Sequence, residues 1–572
     1  MTRRSYPRVA ALAGLLLVSS TITGPAHATA IPSTTTPSTT IPSTSTPYGA
    51  TLPAAAQPVA GTGHATAHSV TVSSAAVAAA AALPARSGPL PAALGRDGRP
   101  VGASLPALAG NVQRPDPGSG NQSLSLNTSP NTNTVAPSVT SPHATVSPAT
   151  TAIGVRGGSQ GGTGCSASAC TAPDVTAALN GTQFAETVNL QLLVFNKSSG
   201  AAQCTVSLAS LLGATTNLSG PRIQYDNAGK RFSLLIDSKP SSSSDIAVQY
   251  LATSQADDAC GAWWVYSIVF SISATYPIGA LLDRPYLGQD KTSILTSTNN
   301  YSFGGAYLGS AAYAMPKSVA YTGGGFDVTT YSVAFSTAPA TVGGVPIAST
   351  ATTYWIAAVP GTGYTVYSMP TTPAGAISLK GTAHAPFSAP THRVAQPGTG
   401  TTLDPGDGRI GSAAVQDGTI LWFAHVVDDA GLPTVQYGGL DGATGQVETA
   451  LAYHGTGTYD FNASIGVFPV GDGTDYIWIN WAYTDPSAGQ AVTDTVAGVA
   501  AGQGVPDEVG SDLALVTGAS TSVNTAFGRY SSVAVDPSRT SSCPTGLTAL
   551  TAQEYFTPGG LWTTELARTS FC

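Results

Sequence analysis

The stretch Asp475-Tyr476-Ile477-Trp478-Ile479-Asn480-Trp481-Ala482-Tyr483 carries apolar side chains on both of its faces. With the two-residue period of an extended strand, Ile477, Ile479, Trp481 and Tyr483 fall on one face. Tyr476 and Trp478 fall on the other, ahead of Asn480. Thr419–Val427 repeats the pattern: Ile420, Trp422, Ala424 and Val426 oppose Leu421, Phe423, His425 and Val427. A strand that is apolar on both faces belongs in a sheet covered on both sides. No segment beyond Phe184 sustains a helical period, so helices are not the cover. Other sheets must supply it, and radially stacked blades do so, each packing between two neighbours.

Outward from these two stretches, short apolar and β-branched runs recur between Gly, Asp, Asn and Pro turns. Val188–Phe195, Arg231–Ile236, Trp263–Ile272, Ser293–Thr298 and Tyr354–Val359 precede them, and Leu513–Val516 and Leu561–Ala567 follow. All are of ordinary strand length. The expectation is an all-β fold over 166–572: a β-propeller of about six to eight blades, at about 40–50 residues per blade. Units are expected to begin near Arg222, Asp283, Ser349, Arg409, Asn462 and Asn524, with the strand Glu186–Phe195 closing the ring beside C-terminal strands. A tandem array of β-sandwiches is the alternative architecture.

Ahead of this domain, residues 31–165 read as a low-complexity, mostly disordered linker or stalk. Thr29–Pro47 is Thr/Ser/Pro-rich, Asn121–Pro148 is similar, Ala75–Ala82 suits a short helix, and Gly157–Gly164 reads as a flexible hinge. Residues 1–30 read as a secretory signal peptide. Arg3, Arg4 and Arg8 precede the apolar run Val9–Val18, and Ala26-His27-Ala28 and Ala28-Thr29-Ala30 offer cleavage sites. Thr2-Arg3-Arg4-Ser5-Tyr6 resembles a twin-arginine signal. The run is shorter than the roughly 20 residues of a membrane span. The expected location is therefore extracellular, with no membrane insertion, and the protein is expected to be monomeric.

Charge narrows the partners. The chain holds 22 basic and 30 acidic residues, and from Gly181 onward 27 acidic residues face 14 basic ones. Such a balance repels a phosphate backbone, so nucleic acid is not expected. Six cysteines in an exported chain read as three disulfides, and joining neighbours gives Cys165–Cys170, Cys204–Cys260 and Cys543–Cys572 out of roughly fifteen pairings. No second Cys or His pair stands at zinc-ligand spacing.

Several fragments carry a resemblance. They are Pro221-Arg222-Ile223-Gln224-Tyr225-Asp226 with Arg231-Phe232, Asp283-Arg284-Pro285-Tyr286-Leu287-Gly288-Gln289-Asp290, and Arg409-Ile410-Gly411. Arg529-Tyr530, Val535-Asp536-Pro537, Glu554-Tyr555 and Trp562 continue the set. Together the chain resembles uncharacterised secreted bacterial β-propeller proteins, loosely of the sialidase-like superfamily. For sialidases, the resemblance implies three arginines (here Arg222, Arg409 and Arg529) beside a Tyr/Glu pair (here Glu554 and Tyr555) and an Asp. Their Ser-x-Asp-x-Gly-x-x-Trp box is not matched. Asp417-Gly418 and Asp472-Gly473 suit tight hairpin turns instead, and arginines at blade starts suit pairing with buried carbonyls or carboxylates.

The chemistry expected from the residues is sparse. Two-carboxylate glycoside hydrolysis offers Asp283, Asp290, Asp536 and Glu554, against which stands turn capping by Asp. Gly157-Gly158-Ser159-Gln160-Gly161 matches a nucleophile-elbow pattern without its strand–turn–helix context. His425 reads as a core residue. Asp404-Pro405-Gly406-Asp407-Gly408, Asp428-Asp429 and Asp472 with Asp475 place oxygens in turns where calcium is conceivable, without the spacing of a calcium loop. No other cofactor and no metal site is expected. The preferred reading is a binding or scaffold module of the cell envelope for a protein or glycan ligand, using Tyr225, Asp226, Asp283, Asp290, Arg409, Arg529, Glu554 and Trp562. The alternative is an extracellular carbohydrate-active hydrolase using Asp283, Asp536 and Glu554.

Overall fold

The computed structural model describes residues 61–72, 148–159 and most of 172–571. Among these residues the chain forms seven antiparallel blades of four main strands each. The innermost strands are Val175–Leu179, Asn217–Asp226, Leu281–Gln289, Ala338–Val342, Ala414–Asp417, Tyr459–Pro469 and Ser532–Val535. These strands run parallel to one another around a central channel. Gln289 pairs with Thr341, and Ala340 with Ala414. Asp174 bridges to Tyr530, joining the first blade to the seventh and closing the ring. The fold is an all-β propeller, and the helices Leu208–Leu212 and Lys317–Ala320 are brief additions.

The blade interfaces explain the two-faced strands. Ile477, Ile479 and Trp481 pack with Trp422 and Tyr437 of the fifth blade. Trp478, one residue out of phase, packs with Leu547 and Ala549 of the seventh. Likewise Trp422 and Ala424 face the sixth blade while Leu421 and Phe423 face the fourth. Each buried aromatic ring removes roughly 150–250 Å² from water, worth about 4–6 kcal/mol against an extended chain. The ring is therefore held mainly by contacts between sheets.

The closing strand differs from expectation. Gln183–Val188 and Gln191–Asn196 are the second and third strands of the first blade. The outer strand of the seventh blade is Pro148–Ser159, paired with Trp562–Phe571. It comes from the segment read as linker, as do Gly61–Ala65 and Ala67–Thr71, which add fifth strands to the third and second blades. Their Gly, Ala, Ser and Thr content gave no apolar signal. The hinge reading of Gly157 fails for a steric reason: a Cβ there would lie 2.3 Å from Glu186 Oε2, and one on Gly158 would lie 2.3 Å from Val188 Cγ1. These glycines permit close approach and are held in a strand. The fourth blade begins at Ala338, ahead of the expected Ser349.

Cys204, on the outer strand of the first blade, is bonded to Cys260 beside the outer strand of the second, with Cα atoms 6.0 Å apart. Removing both thiols (Cys204→Ser, Cys260→Ser) should cost about 2–4 kcal/mol, read as a lower urea midpoint that reductant no longer changes. Cys165, Cys170, Cys543 and Cys572 lie outside the described residues, as do the signal-peptide region and the Ala75–Ala82 stretch. Among the described residues no helix is long and apolar enough to cross a membrane.

Candidate functional site

Three of the inner strands carry a left-handed residue at their fourth position, Gly220, Arg284 and Asn462, and left-handed Ser336 lies two residues ahead of a fourth. At Gly220, Arg284 and Asn462 the pairing with the next strand also breaks register. Each break is a β-bulge, which re-aims the side chains around it. Arg284 (φ 56°) and Asn462 (φ 56°) hold a conformation that costs a non-glycine residue on the order of 1 kcal/mol or more. The strain persists because both side chains are buried in a polar network at this end of the channel.

The network joins four arginines from four blades. Arg529 bonds Asp283 (Nη1 to Oδ1, 2.5 Å) and Asp174 (Nε to Oδ1, 3.3 Å). Arg284 and Arg409 share Asp407, at 3.4 and 2.7 Å, and Arg409 also covers the Phe335 ring. Arg222 differs. Its Nε donates to Pro285 O and its Nη2 to Gly411 O, both at 2.8 Å, and its guanidinium lies 3.3 Å from the Tyr530 ring centroid. Burial acts to lower the Arg529 pKa, but Asp174 and Asp283 outweigh it and hold the group charged. Burial lowers the Arg222 pKa, where the offsetting pull comes first from the tyrosines Tyr530 and Tyr286. Arg222, Arg409 and Arg529 thus meet one end of the channel, pinned to carbonyls, carboxylates and ring faces.

Below this layer the inner strands enclose a cavity of about 180 Å³. Arg222 and Ser412 mark its polar end, and Ile223, Val415 and Ile465 line its walls. Tyr225 and Asn227, both partly exposed, stand at the far end.

The remaining candidates are scattered. Asp226 and Asp290 end their inner strands at the opposite side and cap hairpin turns. Asp226 accepts from the N–H groups of Ala228 and Gly229 and pairs with Lys317 at 2.8 Å. Asp290 accepts from those of Thr292 and Ser293. Asp536 is at that side too, bound by Lys197 (2.6 Å) and Arg568 (2.9 Å). Tyr225 donates its hydroxyl to Asp257. Glu554, fully buried, accepts from the Gly528 N–H at 2.6 Å. Asp283 and Glu554 therefore flank Gly528–Arg529, far along the strands from Asp536. Trp562 is 2 % exposed and packs in a core cluster. The structure places it in the core, where a bound ligand does not reach it.

His425 is buried with both ring nitrogens engaged, by Gly408 O and by Tyr364 and Gln436, and burial lowers its pKa to about 4. The acidic turns are occupied by protein partners. Asp404 accepts from the Gly406 N–H, Asp428 from Thr391 and Gly431, and Asp475 from the Trp422 indole. Among the described residues no group of three or more His, Cys, Asp or Glu side chains is arranged to hold a metal ion.

Arg284, Tyr286 and Tyr530 stand in the sequence fragments without a role of their own and Asp174 stands in none of them, yet all four are members of the network. A signal exists: in Arg222…Asp226, Arg284…Asp290, Arg409…Asp417 and Arg529…Asp536 an arginine within or ahead of an inner strand is followed by an aspartate at or just past the strand's end. Bulges and entry loops vary the spacing, which hides the repeat.

His454 is a second cluster, at the edge of the sixth blade. Its Nδ1 meets Asp460 (2.6 Å), its Nε2 meets Asp512 (2.9 Å), and its ring stacks on Tyr483 at 3.5 Å. Burial acts to lower its pKa, but the bonds to Asp460 and Asp512 outweigh that and raise it to about 9. The stabilisation is full below the unfolded value near 6.5 and is lost as pH rises through 9. His454→Gln should cost about 2 kcal/mol at pH 6 and little at pH 10, measured by urea unfolding at both pH values.

No protein-family model matches the chain, and no curated protein matches it. Among solved structures it is similar to the subtype N10 neuraminidase-like protein of A/little yellow-shouldered bat/Guatemala/060/2010, at 9% identity and a TM-score of 0.32, over 62% of this chain and 98% of that one. It is also similar to an exo-β-1,3-galactanase from Phanerochaete chrysosporium (12% identity, TM-score 0.27, 73% and 99% covered). A third is the β-propeller domain of the Trilobed protease from Pyrococcus furiosus (9%, 0.27, 60% and 95%).

Proposed function

We propose that this chain is a secreted β-propeller acting as a binding or scaffold module of the cell envelope. The observation that carries this reading is the state of the carboxylates. Asp283 is 1 % exposed and bound to Arg529, Glu554 is fully buried, and neither lines the channel cavity. An acid or base must reach the bond it acts on, through a hydrogen bond or one water. Asp536 is held by two cations at the other end of the ring.

The test is a glycan-array and fluorogenic-glycoside screen of the chain from Ala30 onward, with and without calcium. A shorter chain starting at Thr163 lacks Pro148–Ser159 and leaves the seventh blade open. Saturable binding without turnover is the expected result. Turnover abolished by Glu554→Gln or Asp283→Asn sinks the binding reading and supports the hydrolase.

A further inference from the structure

We propose that the outer strand of the seventh blade, Pro148–Ser159, is a pH-sensitive latch. It stays docked while Glu186 holds a proton, and its detachment, with the rest of the ring intact, becomes frequent once Glu186 is ionised. This goes beyond the envelope-binding reading and does not depend on it, because the latch belongs to the ring whatever the ring binds.

The latch is clipped by a side chain from another blade. The ladder between Pro148–Ser159 and Trp562–Phe571 breaks register between Arg156 and Ser159. At the break the Gly158 N–H donates to Glu186 Oε2 at 2.9 Å, and the Gly158 carbonyl accepts from Thr563 Oγ1 at 3.0 Å. Thr564 Oγ1 lies 2.5 Å from the other carboxyl oxygen of Glu186. Glu186 stands on Gln183–Val188 of the first blade, so one carboxyl ties the closing strand to the blade beside it. Gly157 and Gly158 press close: a Cβ on Gly157 would lie 2.3 Å from Glu186 Oε2. They keep water from the carboxyl, which is fully buried. Among the described side chains of the latch, Val155 is the one that enters the hydrophobic core. The carboxyl is therefore a large share of what holds the strand sideways.

The surroundings disfavour charge on Glu186. Burial pushes its carboxyl up to about 7, and Glu565, on the strand beside the latch, adds to this against the bonds from Thr564 and Gly158. Of the strands packed on Gln183–Val188, Val175–Leu179 and Gln191–Asn196 carry no charged residue, and Asn217–Asp226 carries Arg222 and Asp226. Trp562–Phe571 carries Arg568 besides Glu565, and the latch carries Arg156, opposite Glu565 in register. Release of the latch exposes Glu186 to water and leaves the ring joined. The first and seventh blades are held together independently by Arg529 with Asp174, by Lys197 with Asp536 and by the bridge from Asp174 to Tyr530.

The sign of the effect follows. Below about 4.5 Glu186 is protonated whether the latch is docked or released; between about 4.5 and 7 only the docked state keeps the proton. The opening constant therefore rises about tenfold per pH unit across that window, on the order of 100-fold in all, and is level above it.

Hydrogen exchange read by mass spectrometry on the chain from Ala30 onward, corrected for the pH dependence of the exchange chemistry, tests this. The peptide covering 148–159 should open about 100-fold more at pH 7.5 than at pH 4.5, while Tyr459–Pro469 of the sixth blade keeps its protection. Glu186→Gln should remove the pH dependence. Gly158→Val, whose side chain collides with Val188, should leave 148–159 open at every pH with Tyr459–Pro469 still protected. Opening of 148–159 that does not rise with pH, that rises equally in Glu186→Gln, or that Tyr459–Pro469 shares each overturns the proposal. So does loss of the whole fold in Gly158→Val, because the strand is then part of the ring and not a latch. If Glu186→Gln does not fold, the pH profile of the parent chain and Gly158→Val still decide.

Discussion

Arg529→Met should destabilise the folded chain by about 3–5 kcal/mol, the usual cost of removing one side of a buried ion pair. Arg529 is the cation between Asp174 of the first blade and Asp283 of the third, and it stands on the seventh. The methionine fills similar volume, so the loss is of charge and hydrogen bonds more than of packing. Both carboxylates, 8 % and 1 % exposed, then remain in a poorly solvated place without the guanidinium that offset them. Arg529→Lys should recover part of the loss, since an ammonium supplies the charge without the fork. Urea unfolding at pH 7 measures both. A cost below about 1 kcal/mol for Arg529→Met would mean that the cluster is electrostatically neutral to folding.

The second large effect concerns the closing strand. Glu186 is fully buried, and burial pushes its carboxyl up to about 7, against the pull of the bonds from Thr564 (2.5 Å) and the Gly158 N–H (2.9 Å). Gly158 belongs to the outer strand of the seventh blade, and Thr564 to the strand beside it. The folded value exceeds the unfolded one near 4.5. The folded state therefore holds the proton more tightly, and stability is full below about 4.5 and falls as pH rises through 7. The shift corresponds to about 3 kcal/mol. Glu186→Gln mimics the protonated acid and should remove this fall, leaving the variant about 3 kcal/mol more stable than the parent at pH 8 and similar at pH 4. The difference between the two urea-unfolding profiles is the readout, because other groups titrate in both proteins. A difference that stays constant between pH 4 and pH 8 would show that folding leaves the Glu186 pKa unshifted.

Fold class was legible in a few residues. Ile477 and Trp478 demand apolar cover on opposite faces of one strand, and stacked sheets provide it where the surrounding sequence sustains no helical period. That demand is local and survives in any sequence window. The closing strand was not legible because Pro148–Ser159 is fixed by its partners: Gly157 and Gly158 are small to admit Glu186 and Val188, contacts 28 or more positions away in sequence. A glycine that admits a neighbour and a glycine that loosens a hinge are the same letter. The candidate site divides in the same way. Arg222, Arg409 and Arg529 stood out as charges in a chain poor in charge, and their positions at blade starts suggested convergence. Which of them meets a carboxylate depends on the bulges at Gly220, Arg284 and Asn462 and on neighbours from other blades.

By itself the sequence determined the all-β stacking and the paucity of basic residues, and its even cysteine count pointed to disulfides without fixing the Cys204–Cys260 pairing. Tertiary structure alone decided the seven blades, the strand that closes them and the separation of Asp536 from Asp283 and Glu554. It also decided which channel arginines pair directly with carboxylates: Arg529 with Asp174 and Asp283, and Arg284 and Arg409 with Asp407. Hydrophobic periodicity is written along the chain, whereas a counter-charge is set by whatever the ring brings alongside.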